Sequence, residues 1–426
     1  MSVEIEIHRR RLSNGLEVVV APDRALPVVA VNLWYGVGSR NERPGRTGFA
    51  HLFEHMMFQG SKHVTKNGHF EAVERAGGSL NGSTWFDRTN YYETLPSHQL
   101  DLALWLESDR MGWLVDAMTQ EKLDNQRDVV KNEKRERYDN QPYGDWMERM
   151  QRLLWPEGHP YRHTVIGSME DLDAADLGDV TEFFRTWYVP NNAVLTIAGD
   201  VEPGDAFDRA ERWFGEIPAG DVTPGVGGST DVAVPMDASR REVVESDVPL
   251  VRVFIGLRIP PLTDPAFDAV DVAAGVLGSG RAARLYARLV RTGVARDAFA
   301  YPFPLVGGAS VLLVGATGFE NSDPEDLERA LVEQLESLQD LDAIEVERAL
   351  ALEEARTARQ LERLEARADR LSMYTCLLDR PERVNEDLAR LRALTVEEVR
   401  EAARRWFAAP GRAILTYVPT PVGDDA

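Results

Sequence analysis

His51, Glu54 and His55 are the residues whose types and spacing can do chemistry in this chain. On a helix, positions four apart lie on one face, one turn apart. Both imidazoles can then offer a ring nitrogen to one tetrahedral metal ion. Glu54 follows His51 by three positions and falls on nearly the same face, where a carboxylate can take a proton from a water on that metal. The order H-x-x-E-H is the inverted form of the commoner zinc-peptidase motif. A catalytic zinc takes three protein ligands and keeps one position open for water. The single cysteine, Cys376, excludes an internal disulfide and a Cys-based zinc site. The third ligand should therefore be a carboxylate or another histidine, and the helix expected from Gln120 offers Glu133 and Glu136. All eight histidines lie in the first 163 residues, so histidine-dependent chemistry belongs to the N-terminal half.

These residues need elements to hold them. Strands are expected at 15–20, after the Asn14-Gly15 turn, and at 28–35, after Pro27. A helix from about Phe49 carries the motif, and a short one at 70–76 stops at Gly77-Gly78. Residues 79–94 read as a hairpin rich in Thr, Trp and Tyr. Helices follow at 100–118 and 120–138, another ends at Trp187, and 193–199 is a buried strand. The second half repeats the theme, with strands at 250–257, 309–315 and 413–418 and helices at 265–277, 324–338, 344–377 and 396–407. The long charged helix from Ile344 reads as a solvated surface laced with Glu and Arg. Pro218, Gly220, Pro224, Gly225, Gly227 and Gly228 mark a linker. The expected organisation is two related α+β domains of mixed sheet with packed helices: a zinc-binding domain over 1–218, a linker over 219–236, and a non-metal domain over 237–426.

Composition bounds the function. A chain of 426 residues exceeds one ordinary core. Its 43% hydrophobic and 28% charged content is that of a globular protein. No apolar run approaches the roughly 20 residues of a membrane span. The net charge of −22 argues against nucleic acid and anionic membranes as partners. Residues 1–7 lack the apolar core of a signal peptide, which points to a cytoplasmic protein, although a chain whose leader had been removed would read the same.

Arg127-Asp128-Val129-Val130-Lys131-Asn132-Glu133 lies beyond the motif, with 77 residues between His55 and Glu133. With H-x-x-E-H, this run resembles the pitrilysin/insulinase family of zinc metallopeptidases, especially its processing-peptidase branch, where a run R-D-V-[VI]-x-x-E supplies the third ligand at this spacing. Further runs extend the resemblance over nearly the whole chain: 38–42 before the metal helix, 79–84 like a strand A-x-N-A-x-T, 187–192 and 198–200 near the end of the first domain, and 277–285 in the second.

The resemblance implies a fold like that of the mitochondrial processing peptidase. It implies one Zn2+ per chain on His51, His55 and Glu133, with Glu54 as general base, and it disfavours Glu136. It implies cleavage of short or unfolded peptides in a clam-shell chamber, the peptide lying as an added strand against Asn81, Gly82 and Ser83. His159-Pro160-Tyr161 reads as structural, and His63, His69, His98 and His163 as solvated.

Two departures stand out. The family often has a second Glu seven residues before the ligand Glu, where this chain has Gln126, a position next to the metal ligands that would orient them. Self-sufficient members also carry an R-x6-Y pair in the second domain that binds the substrate carbonyl. The corresponding positions here are Leu289 and Arg296. The chain is therefore expected to be the zinc-bearing subunit of a heterodimer whose homologous partner supplies the Arg/Tyr pair. The alternative is a homodimer using Arg296 or Tyr301. The competing class is a non-catalytic scaffold or assembly subunit that kept the fold.

Overall fold

The computed structural model of the chain describes residues 4–221 and 230–420. Residues 222–229 of the expected linker lie outside the described residues. The first sheet comprises β1 (His8–Arg11), β2 (Glu17–Pro22), β3 (Val28–Tyr35), β4 (Ser79–Thr84), β5 (Thr89–Pro96) and β6 (Ala193–Gly199). Its order is β1-β2-β6-β3-β5-β4, so β4 is an edge strand. β2 and β6 are parallel, and the other pairs are antiparallel. The second sheet comprises β7 (Arg240–Ser246), β8 (Arg252–Ile259), β9 (Asp297–Phe303), β10 (Ser310–Thr317) and β11 (Ala413–Pro419), in the order β7-β11-β8-β10-β9. β7 and β11 are parallel and the rest antiparallel. From β2 onward the first sheet has the same order and pairing pattern, so the chain holds two mixed-sheet domains of like topology.

The principal helices are α1 (Phe49–Met56), α2 (Gly68–Arg75), α3 (Leu100–Trp113), α4 (Gln120–Lys134), α5 (Trp146–Leu154), α6 (Met169–Asp173), α7 (Leu177–Trp187), α8 (Pro203–Phe214), α9 (Ala266–Gly278), α10 (Pro324–Ser337), α11 (Ala343–Leu361) and α12 (Leu364–Leu378). α9 joins β8 to β9 in the second sheet, as the segment with α1 and α2 joins β3 to β4 in the first, but α9 contains no histidine.

Val18, Val19, Val20 and Ala21 are all buried, because both faces of the first sheet are covered. Successive side chains of a strand point to opposite faces. Val19, Ala21, Ala30, Trp34, Val194 and Ala198 meet Ala368, Leu371 and Tyr374 of α12. Residues of the other parity, among them Val18, Val20, Val31 and Leu33, face α3 and α8.

This placement of α12 corrects the reading of 344–377 as one solvated helix. The helix breaks at Glu362-Arg363, where Arg363 adopts an extended backbone and caps α12. Ala368, Leu371, Ser372 and Thr375 form a buried stripe at helical spacing that the surrounding charges hide. Asp369 is part of the anchor, since its Oδ1 accepts from Trp34 Nε1 (2.9 Å), Asn90 Nδ2 (3.1 Å) and Asn32 Nδ2 (3.4 Å). Ser372 Oγ donates to Thr196 Oγ1 at 2.8 Å.

The compact units are consequently discontinuous, unlike the sequential division at 218 and 237. One gathers the described residues within Met1–Lys134, His163–Gly228 and Ala358–Asp387. The other gathers those within Arg135–Arg162, Ser229–Thr357 and Leu388–Ala426. In the second unit α5 packs on the sheet, with Met150 and Leu154 seated over Gly256 and Trp146 stacked on Phe254 at 5.1 Å. His159 stacks on Trp155 at 4.4 Å, and Tyr161 Oη accepts the Gly307 N–H at 2.9 Å, a structural use of that run. Among the described residues, no helix is long and apolar enough to cross a membrane.

Candidate metal centre

α1 forms where Phe49, Leu52, Phe53 and Met56 make an i, i+3, i+4, i+7 stripe, and all four are buried. Phe53 stacks on Tyr188 at 5.1 Å and on Phe184 at 6.2 Å. With that face committed to the core, His51, Glu54 and His55 occupy another. The two imidazole centroids are 4.8 Å apart. α4 is oriented in a similar way. Leu123, Gln126 and Val130 are buried along one side, and Glu133 continues that row one turn later.

Glu133 Oε2 lies 3.3 Å from His55 Nε2 and 3.7 Å from His51 Nε2. His51, His55 and Glu133 each offer a ligand atom, all within 4.8 Å of one another, and form the one such group found among the described residues. Tetrahedral zinc with bonds near 2.1 Å sets its ligand atoms about 3.4 Å apart. The donor set and both spacings to Glu133 fit that ion. Each side chain keeps partial exposure, at 12%, 23% and 16% for His51, His55 and Glu133, so water can reach the group. Glu136, in the π-helical turn after α4, is not part of it.

Glu54 Oε2 accepts the Thr84 hydroxyl proton at 2.7 Å. Burial pushes its carboxyl above the usual range, against the Thr84 hydrogen bond and the charges of His55 and Arg88, which favour the carboxylate. Thr84 ends β4, and by strand alternation Gly82 shares its face. A Cβ at Gly82 would stand 3.2 Å from Glu54 Cγ and 3.3 Å from Phe58, so the glycine lets the edge strand pass close to the carboxylate.

Asn81 and Ser83 belong to the opposite face. Asn81 Oδ1 accepts the Gly82 N–H at 2.9 Å. Ser83 Oγ donates to Asn90 Oδ1 at 2.7 Å, and the Ser83 carbonyl accepts from Arg88 at 2.7 Å. The side chains of 81 and 83 thus brace the strand, and what β4 presents beside Glu54 is backbone. Buried Gln126 donates from Nε2 to Asn125 Oδ1 at 2.9 Å. In the second unit Tyr301 is exposed on β9 between Phe299 and Phe303, with centroids at 5.4 and 5.0 Å, and Arg296 is exposed just before that strand.

Several roles were not evident in sequence. Thr84 ends the 79–84 run with no partner legible from sequence, although it shares the parity of Gly82. Glu42 ends the 38–42 run without an assigned role, and His163 carries no local signal. Glu42 is buried beneath the start of α1, where Oε2 accepts the Gly48 N–H (2.9 Å) and Oε1 the Ala50 N–H (2.8 Å). The Nε2–H of His163 is shared between Glu42 Oε2 and the Ser39 carbonyl, at 2.9 Å each. The expectation that His69 and His163 are solvated needs correction, whereas His63 and His98 are exposed. His69 is fully buried with Nε2 on the Leu106 carbonyl (3.3 Å), and burial pushes its pKa down to about 3. His163 is largely enclosed and tied to Glu42. His63 remains half exposed but pairs through Nδ1 with Asp109 at 2.5 Å.

Residues 17–153 match the family described as Insulinase (Peptidase family M16), and residues 174–352 match the Peptidase M16 inactive domain. The chain is 33% identical over 339 residues to the zinc protease PqqE of Helicobacter pylori, covering 77% of this chain and 73% of that one. It is 27% identical over 276 residues to the mitochondrial-processing peptidase subunit beta of Blastocladiella emersonii, covering 63% and 56%. A crystal structure of a protease from Helicobacter pylori superposes with a TM-score of 0.90 at 29% identity, covering 97% of this chain and all of that one. The fold and site define a two-domain member of a peptidase family. The chain belongs to the pitrilysin/insulinase family, peptidase family M16, in which relatives carry the name zinc protease.

Proposed function

We propose that this chain is a zinc-dependent endopeptidase that cleaves short or unfolded peptides, and that it acts as the metal-bearing subunit of a dimer. The observation that carries the reading is the convergence of His51, His55 and Glu133 within ligand distance of one another, with Glu54 on the same short helix. When bound, zinc supplies Lewis acidity that brings the pKa of a water to about 7. Glu54 takes the proton from the attacking water and returns it to the leaving amine. A carboxyl raised by burial suits that double task, because its proton affinity lies closer to that of the groups it exchanges with. Thr84 holds Glu54 in orientation through their hydrogen bond. The edge of β4 takes the peptide as an added strand, using backbone hydrogen bonds that demand little of its sequence.

The dimer reading rests on the segment before β9. Leu289 and Arg296 stand where self-sufficient relatives have an Arg and a Tyr, and a homologous partner supplies that pair. Removing such stabilisation of the oxyanion costs on the order of 10²–10³ in rate. The test is cleavage of a quenched unstructured peptide by the zinc-loaded chain, alone and mixed with an Arg/Tyr-bearing homologue, with Glu54→Gln as blank. Activity that appears on mixing and vanishes in the blank is the expected result. Full activity of the chain alone overturns the heterodimer. Zinc-loaded protein that stays silent with every homologue overturns the peptidase reading.

A further inference from the structure

α1 has only two turns and must hold three reactive side chains still, yet its own N-cap residue supplies no side-chain hydrogen bond. That residue is Gly48, in a left-handed conformation (φ 89°). The first N–H groups of a helix have no partner within it, and at α1 the partner comes from outside. Glu42 spans the gap with both oxygens, Oε2 on Gly48 N–H and Oε1 on Ala50 N–H, and its side chain is fully buried. A carboxylate at a helix N-terminus is favoured by the helix dipole and makes charge-assisted bonds about twice as strong as neutral ones. A buried charge needs a counter-group, and His163 provides it at 2.9 Å while also holding the Ser39 carbonyl.

A second set of contacts converges on the same helix start. Gly48 and Gly167 pack backbone to backbone. A Cβ on Gly48 would lie 2.7 Å from the Ile166 carbonyl oxygen, and one on Gly167 would lie 2.3 Å from Gly48 N. Thr47 is bound through its N–H (2.9 Å) and hydroxyl (2.6 Å) to Asp171, at the start of α6. The segment 163–171 is thereby locked against the residue that precedes α1.

We propose that Glu42, held in place by His163, is the positioning residue of the metal helix. Its carboxylate sets the direction in which α1 presents His51, Glu54 and His55. The part of this inference that concerns zinc rests on the function proposed above, whereas the part that concerns helix order does not.

The experiment compares wild type with Glu42→Gln, His163→Leu and His163→Gln in the full chain. An amide at 42 can accept only one of the two N–H groups and sets its own NH2 against the other. Glutamine at 163 keeps an N–H donor for Glu42, and leucine does not. Amide hydrogen exchange of residues 48–57 is followed in the zinc-free protein, with β6 as internal reference. Zinc affinity is measured by chelator competition, and the Co2+ visible spectrum reports ligand geometry.

Glu42→Gln and His163→Leu are expected to speed exchange over 48–57 by about tenfold or more with β6 unchanged. They should weaken zinc binding by about 10- to 100-fold, the usual effect of removing a group that orients metal ligands, and alter the cobalt spectrum. His163→Gln should restore all three towards wild type. Folded variants with wild-type zinc affinity and cobalt spectrum, or faster exchange spread evenly over the unit, overturn the proposal. A wild type that binds no zinc would sink the peptidase reading, and the exchange comparison would still decide the role of Glu42 in ordering α1.

Discussion

Thr84→Val removes a hydroxyl and keeps the shape of the side chain. The hydroxyl donates to Glu54 Oε2 at 2.7 Å in a largely buried setting. A hydrogen bond to a charged group contributes about 1.5–3 kcal/mol, and here it favours the carboxylate over the acid. The carboxyl already binds its proton more tightly than usual because of burial, and the Thr84 bond opposes that. Losing the bond moves the balance further towards the acid, so the acidic limb of the kcat/KM profile must move to higher pH. On the acidic side of that limb the same free energy corresponds to about a 10- to 100-fold lower kcat/KM, since about 1.4 kcal/mol is tenfold. On the plateau, where Glu54 is ionised in both proteins, the loss should be small. The assay is kcat/KM against pH for an unstructured peptide, with zinc-loaded protein and its partner subunit where activity requires one. Thr84→Ser, which keeps the hydroxyl, should superpose on wild type. A Thr84→Val profile with an unmoved acidic limb, or a uniform loss at every pH, would refute the assignment of Glu54 as the base held by Thr84.

Two further predictions concern the scaffold. Asp369→Ala strips Trp34, Asn90 and Asn32 of their shared acceptor and should cost about 3–5 kcal/mol in urea unfolding, mostly through buried donors that lose that acceptor, although Asn90 keeps its bond to Asn32 Oδ1. A loss within about 0.5 kcal/mol would mean that the Asp369 hydrogen bonds do not anchor α12. His69 binds its proton far more weakly in the folded chain, at a pKa of about 3, than an ordinary histidine does, at 6.5. Between those values only the unfolded chain takes up the proton, so stability should fall as pH drops through that window, by up to roughly 1.4 kcal/mol per unit. Unfolding of His69→Leu between pH 7 and pH 4 should show a shallower decline than wild type, and parallel curves would contradict the assignment.

What sequence could reveal followed how local its cause was. α1 was legible because its apolar stripe and its reactive face share eight residues, and β3 because its run is apolar but for Asn32 and bounded by Pro27 and Gly36. Glu133 lies 78 positions after His55 and was singled out from Glu136 only through the resemblance, and the burial of Leu123, Gln126 and Val130 now supplies the physical reason. α12 was misread because Glu365, Arg367, Asp369 and Arg370 surround its buried stripe, and because the aspartate that looked solvated accepts hydrogen bonds from residues 279 to 337 positions away. β1 and β7 escaped notice because these edge strands are rich in charge and lack a continuous apolar run, β1 being His-Arg-Arg-Arg, whereas β9, also at an edge, carries Pro302, which argues against a strand. Glu42 and His163, 121 positions apart, acquire meaning only when the chain brings them together.

The most direct test of the central claim is the zinc content of the purified full chain, measured by mass spectrometry for wild type, His51→Ala, His55→Ala and Glu133→Gln. About one zinc per chain in wild type, lost or sharply weakened in all three variants while each remains folded, is the predicted result. A wild type that takes up no zinc when it is supplied, or one whose zinc survives all three substitutions, would contradict the account.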